Sequence, residues 1–118
     1  MSLKAEVTLT WGDGTYPFAL KGAQIEELER QCGKIGIGAI FQRIALGTYF
    51  WRDVRETIRL GLIGGGMGAV EALQKTDVYM NSPLEAGPNS PVMVAKAVLG
   101  AVFVGLEDIS PGEPPAGE

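Results

Sequence analysis

Three acids stand close together at Glu26, Glu27 and Glu29, a spacing that could pair a general acid with a base or hold a cation. One thiol follows, Cys32, with Arg30 and Lys34 near enough in sequence to favour a thiolate. Further on, the run GLIGGGMGA at 61–69 sets Gly64, Gly66 and Ala69 at the spacing of a dinucleotide-binding loop. Arg52, Arg55 and Arg59 recur along one segment, as cations that meet phosphates often do.

Each of these has a plainer reading, and in each case the context favours it. Clustered acids early in a helix are usually a solvated face. Cys32 falls on an apolar stripe with Ile25 and Leu28, which makes it a buried structural cysteine. The glycine run follows a helical pattern where the dinucleotide motif needs a strand, and it lacks the Gly-Lys-Ser/Thr ending of a phosphate loop, so it reads as a connector. The arginines alternate with acids, and Arg52 and Glu56 stand at salt-bridge spacing.

Composition narrows the chemistry further. The 118 residues carry a net charge of −4 and no histidine, and Cys32 is the sole cysteine. An internal disulfide, a usual zinc site and the commonest neutral-pH proton carrier are thereby excluded. The acidic balance gives no electrostatic reason to expect nucleic-acid binding. The longest apolar run, 97–106, is too short to span a bilayer, and the first ten residues have no apolar signal core, so a cytoplasmic setting is expected. No catalytic residue, cofactor or metal is expected.

The elements that must position everything else are legible from period and punctuation. Residues 4–11 alternate, with Ala5, Val7, Leu9 and Trp11 on one side. After GDGT, Tyr16, Phe18 and Leu20 alternate again. A type I′ turn at Asp13-Gly14 would pair Trp11 with Tyr16, Leu9 with Phe18 and Val7 with Leu20, and Pro17 then marks a free edge or a bulge. Such a hairpin is marginal alone and must lie on helices or on a sheet from another subunit.

Helical periods follow over 22–32, with Gly33 as C′ residue, and over 37–44, with Gly47 as the stop. The central segment between Gly47 and Gly66 places Trp51, Val54, Ile58, Gly61 and Leu62 on a core face, and Arg52, Arg55, Glu56 and Arg59 on a wet face. Thr48 is its N-cap or lies just outside, and Leu60 and Ile63 form a flank that suggests cover on a second side. A fourth helix is expected at about 68–79 with Val70, Leu73, Asp77 and Met80 along one side. The last starts at Ser90-Pro91 as N-cap and N1 and is apolar nearly all round. The expected class is α+β, an N-terminal β-hairpin followed by a small bundle of about four helices. A single domain is expected over 1–109, with a disordered acidic Pro/Gly tail at 110–118.

Aromatic side chains dominate protein interfaces, so Trp11, Tyr16, Phe50 and Trp51, with the flank Leu60 and Ile63, are the candidate partner-binding residues; core packing is the alternative use of the same side chains.

In order and spacing the pieces resemble the small tail assembly chaperones of tailed phages, in particular the type encoded by gene transfer agents and related prophages. The resemblance rests on the hairpin, on FALKGAQIEELERQCG with Leu20, Leu28 and Glu29, on Gly47, on RDVRETIRLGLIGGG with Asp53, Val54, Ile58, Arg59, Gly61, Leu62 and Gly64, and on Glu71-Ala72. It covers about 6–106; the connection Pro83 to Pro91 and the acidic end depart from it. It implies a non-enzymatic protein of the host bacterial cytoplasm that binds the tape measure protein, the tail tube protein or both before the tail polymerises. A homo-oligomer is compatible with it, and the rival role is a minor tail or tail-completion protein retained in the particle. It carries over no catalytic residue.

Overall fold

A computed structural model describes residues 3–104 and 106–107; the tail expected to be disordered, and the domain end at 109, lie outside them. The chain is α+β, a hairpin followed by helices. A two-residue strand β1 (Leu3–Lys4) precedes the hairpin strands β2 (Glu6–Trp11) and β3 (Gly14–Ala19). Five helices follow, one for each periodic segment: α1 (Gly22–Gln31), α2 (Ile37–Leu46), α3 (Trp51–Gly64), α4 (Ala69–Tyr79) and α5 (Pro91–Val104). A last short strand, β4 (Leu106–Glu107), pairs antiparallel with β1. Neither β1 nor β4 was expected, since two residues carry no period.

The hairpin forms in a register two residues away from the expected one. Trp11 pairs with Gly14, Leu9 with Tyr16 and Val7 with Phe18, which places Gly12 and Asp13 in the turn. Gly12 has φ +61° and Asp13 does not have positive φ, the signs of a type II′ turn, whose first central position asks for glycine. Two glycines flank Asp13, and the earlier one takes the left-handed position. Because the shift is even, every side chain keeps its face. Phe18 and Trp11 are buried as the alternation requires. Counting from the turn, Thr8 and Pro17 form a pair whose backbone groups point outward, so Pro17 removes no hydrogen bond from the ladder and needs no bulge.

Helix α3 is the axis of the molecule, packed by β3, α5, α1 and α4. Val54, Ile58, Gly61 and Leu62 face the core as expected, whereas Trp51, expected with them, is 49% exposed in the first turn, and Leu60 is buried on the second side. Its polar face, however, is wet only at Arg52. Asp53 and Glu56 are 1% and 3% exposed, and Thr57 is fully buried. The cover comes from partners on other helices and from arginines folded back over the acids, which a count of apolar residues cannot see. Glu56 pairs with Arg55 and Arg59, at 2.5 Å for the latter, and not with Arg52.

Two glycines fix how close α3 approaches the hairpin. A Cβ at Gly64 would stand 1.9 Å from the Ala19 carbonyl oxygen, and one at Gly65 would stand 1.9 Å from that of Pro17. The run is thus more than a connector: its glycines make the helix-to-strand contact possible.

Helix α4 turns a different side inward from the one expected. Ala72 and Thr76 are fully buried together with Met80, while Val70 and Leu73 are 70% and 42% exposed. Small side chains let α4 approach α3, and Thr76 satisfies its hydroxyl by donating to the Ala72 carbonyl at 2.7 Å. Helix α5 begins where Ser90-Pro91 predicts, with the Ser90 carbonyl accepting from Val94 at 3.0 Å, although the buried Ser90 hydroxyl has no partner. It is buried along Val92, Val94, Ala95, Val98 and Leu99.

Candidate functional site

The end of the molecule where α1 stops and α3 starts gathers most of the unusual side-chain chemistry. Helix α1 ends on Gly33 at φ +96°, with the Lys34 N–H donating to the Glu29 carbonyl at 2.8 Å, a Schellman closure. Glu29 then accepts the Ile37 N–H at 2.9 Å and so caps α2 from outside. Glu29 is thus spent on structure, and Glu26 stands in solvent. Glu27 takes Gln31 and Arg30, whose hydrogen bonds hold its carboxyl below the usual range.

Arg43 ties three helices together from the last turn of α2. Its guanidinium donates to Asp53 at 2.7 Å and to the Cys32 carbonyl at 3.2 Å, and lies 5.0 Å from the centre of the Phe50 ring. Asp53 uses its other oxygen to accept the Phe50 N–H at 2.8 Å, closing the first turn of α3. Phe50 is therefore the N-cap residue and Thr48 lies outside the helix. The Cys32 thiol beneath this junction is pushed up to about 12, by burial first and by the neighbouring Asp53 next, which makes it a poor nucleophile.

Around this rigid junction three large apolar side chains stand in solvent: Leu46 at 72%, Phe50 at 66% and Trp51 at 49% exposure. Arg55 reaches within 5.9 Å of the Trp51 ring centre and also bonds Asp77 of α4 at 2.9 Å. Arg52 is exposed and makes no ion pair among the described residues. A shallow groove of about 360 Å³ runs beside Phe50, lined by Gln31, Cys32, Gly33, Arg52 and Asp53. The Tyr49 hydroxyl donates to Glu85 and so fastens the α2–α3 connection to the α4–α5 connection.

The six candidate residues do not form one surface. Trp11 and Leu60 are 2% and 4% exposed and belong to the core. Trp11 packs edge-on against Tyr79, ring centres 6.3 Å apart. Tyr16 is half-buried at the hairpin turn, where its hydroxyl donates to Asp13 at 2.6 Å and Lys75 lies over its ring. That donation, and then the Lys75 ammonium, lower the Asp13 carboxyl. Ile63 is half-buried at the other end of α3, about 20 Å from Phe50 along a 14-residue helix. Phe50 and Trp51 are left as the exposed pair.

Sequence reading missed Arg43 and Leu46. Arg43 carried a signal, as the one charged residue of an apolar helix. Leu46, just before the helix-stopping Gly47, carried none.

Among the described residues no group of His, Cys, Asp and Glu could hold a metal ion, and no helix is long and apolar enough to cross a membrane. What this end of the molecule offers is a preorganised apolar and cationic surface, the composition of an interface anchor. Residues 4–105 match the family model described as "Phage tail tube protein, GTA-gp10". No curated protein and no solved structure matches the chain.

Proposed function

We propose, since this chain belongs to the family described as phage tail tube protein, GTA-gp10, that it is a non-enzymatic binding protein of phage-like tail assembly. In this reading it acts in the bacterial cytoplasm as a chaperone, holding the tape measure protein or the tail tube protein soluble until the tube polymerises. The observation that carries the reading is the exposed set Leu46, Phe50 and Trp51 on a junction locked by Arg43 and Asp53. Apolar anchors held rigid before contact lose little entropy on binding. Side chains free to bind in the isolated chain suit a protein that meets its client before assembly.

Co-expression with the tape measure protein and, separately, with the tube protein from the same locus tests it. The expected outcome is a rise in soluble client, co-purification, and loss of both when Phe50→Ser and Trp51→Ser are combined. Client solubility unchanged in both pairings sinks the proposal.

A second reading is favoured by the family description itself: a subunit retained in the tail. Quantitative mass spectrometry of purified particles separates the two. A chaperone is absent from the particle, and a tail component is present at fixed copy number.

A further inference from the structure

The hairpin has two outer edges, and they are not alike. On β3, Pro17 occupies an outward-pointing position and offers no N–H, and the Pro17 and Ala19 carbonyls lie against Gly65 and Gly64 of α3. That edge is closed. On β2, the outward positions are Glu6, Thr8 and Thr10, and among the described residues no strand pairs with them. The core wall is also open on this side. Val7 and Leu9 point to the core face yet remain partly exposed, whereas Phe18, directly across from Val7, is fully buried.

We propose that β2 is a homodimer edge, pairing antiparallel with β2 of a second copy about a two-fold axis at Thr8. Self-complementarity identifies the occupant. With Thr8 opposite Thr8, Glu6 falls opposite Thr10 of the other copy, and all of these expose their backbone groups outward, so each pair exchanges two hydrogen bonds. No like charges stand directly opposite, and the central pair is threonine with threonine, a favourable cross-strand match. On the core face, Val7 falls opposite Leu9, and each covers the partly exposed apolar surface of the other. Two marginal two-stranded hairpins become one four-stranded sheet. The pairing is independent of which tail protein the chain serves.

The full chain tests this by sedimentation. Wild type should show twice the 12.5 kDa mass of one chain. Thr8→Lys puts two cations together on the axis and should yield monomers with an unchanged circular dichroism spectrum, as should Thr8→Glu. Mixing the two variants should restore the dimer. In a second arm, Thr8→Cys should cross-link to itself with a short bis-maleimide, since paired residues of this kind hold their Cα atoms about 5.5 Å apart. Thr15→Cys on the closed edge should not, and native Cys32 is buried. A monomeric wild type, a dimer that survives Thr8→Lys, a mixture that stays monomeric, or a Thr8→Cys chain that does not cross-link overturns the proposal.

Discussion

At the scale of single residues, burial decides what the chemistry-bearing side chains do. Cys32 keeps its proton to about pH 12 in the folded chain, against an ordinary value of 9.0. The unfolded chain loses that proton first, so it binds fewer protons than the native state once pH exceeds about 9, and stability falls as pH rises from there toward 12. Urea unfolding at pH 8 and pH 10 should show the loss, and Cys32→Ala should reduce it; native Cys32 should also resist iodoacetamide at pH 8 until denaturant is added. Asp13 works in the opposite sense. Its carboxyl is lowered by Tyr16 and Lys75, so its contribution is present above the ordinary carboxylate range and is lost as pH falls through the folded value. A carboxyl titration followed by NMR should place Asp13 below the ordinary aspartate value, and Tyr16→Phe should move it back up. Gly64→Ala should destabilise by about 3 kcal/mol or more, because the atom it meets is backbone that cannot swing aside. Gly100→Ala, in the interior of α5 with nothing within 4 Å, should stabilise by about 1 kcal/mol, and thermal unfolding of the pair should separate contact from propensity.

At the scale of elements, the Arg43–Asp53 pair is the joint on which α1, α2 and α3 meet. Asp53→Ala removes the partner of a largely buried guanidinium and the acceptor at the first turn of α3 together, and should cost roughly 3 kcal/mol, read from a shifted denaturation midpoint. Element type and order were legible in the sequence because each depends on local period and on glycine or proline punctuation: the II′ hairpin aside, Gly33, Gly47 and Pro91 stop and start helices where they stand. The hairpin register was not legible, because Gly12 and Gly14 both offer a turn and only Gly12 meets the packed ring of Tyr79. The inner side of α4 was not legible either. Val70 and Leu73 outrank Ala72 and Thr76 on any hydrophobicity scale, but close approach to α3 selects for size. The polar face of α3 escaped for a related reason, since Glu56 is solvated by Arg55 and Arg59 in place of water. Of the candidate residues, Phe50 and Trp51 were legible as two aromatics at a helix entrance, but periodicity put Trp51 on the core face, where it is half exposed, and Trp11 shared that chemistry and went to the core.

At the scale of the whole molecule, anchors and fold are separable. Phe50→Ser should change unfolding free energy by only about 0.5 kcal/mol, since that side chain stands largely in solvent, and Trp51→Ser, half covered, by about 1–2 kcal/mol, while each reduces capture of a tail client in the proposed reading; loss of the fold in either variant would instead make these side chains structural. The closed edge of β3 has a bearing on the cell in which such a chain works. Tail assembly is a polymerisation, and a protein with two open strand edges would be at risk of stacking without limit. With Pro17 and the α3 glycines sealing one border, any strand that joins must join at β2, and a second copy joining there brings its own sealed border to the far side. The sheet of such a pair then has nowhere left to grow.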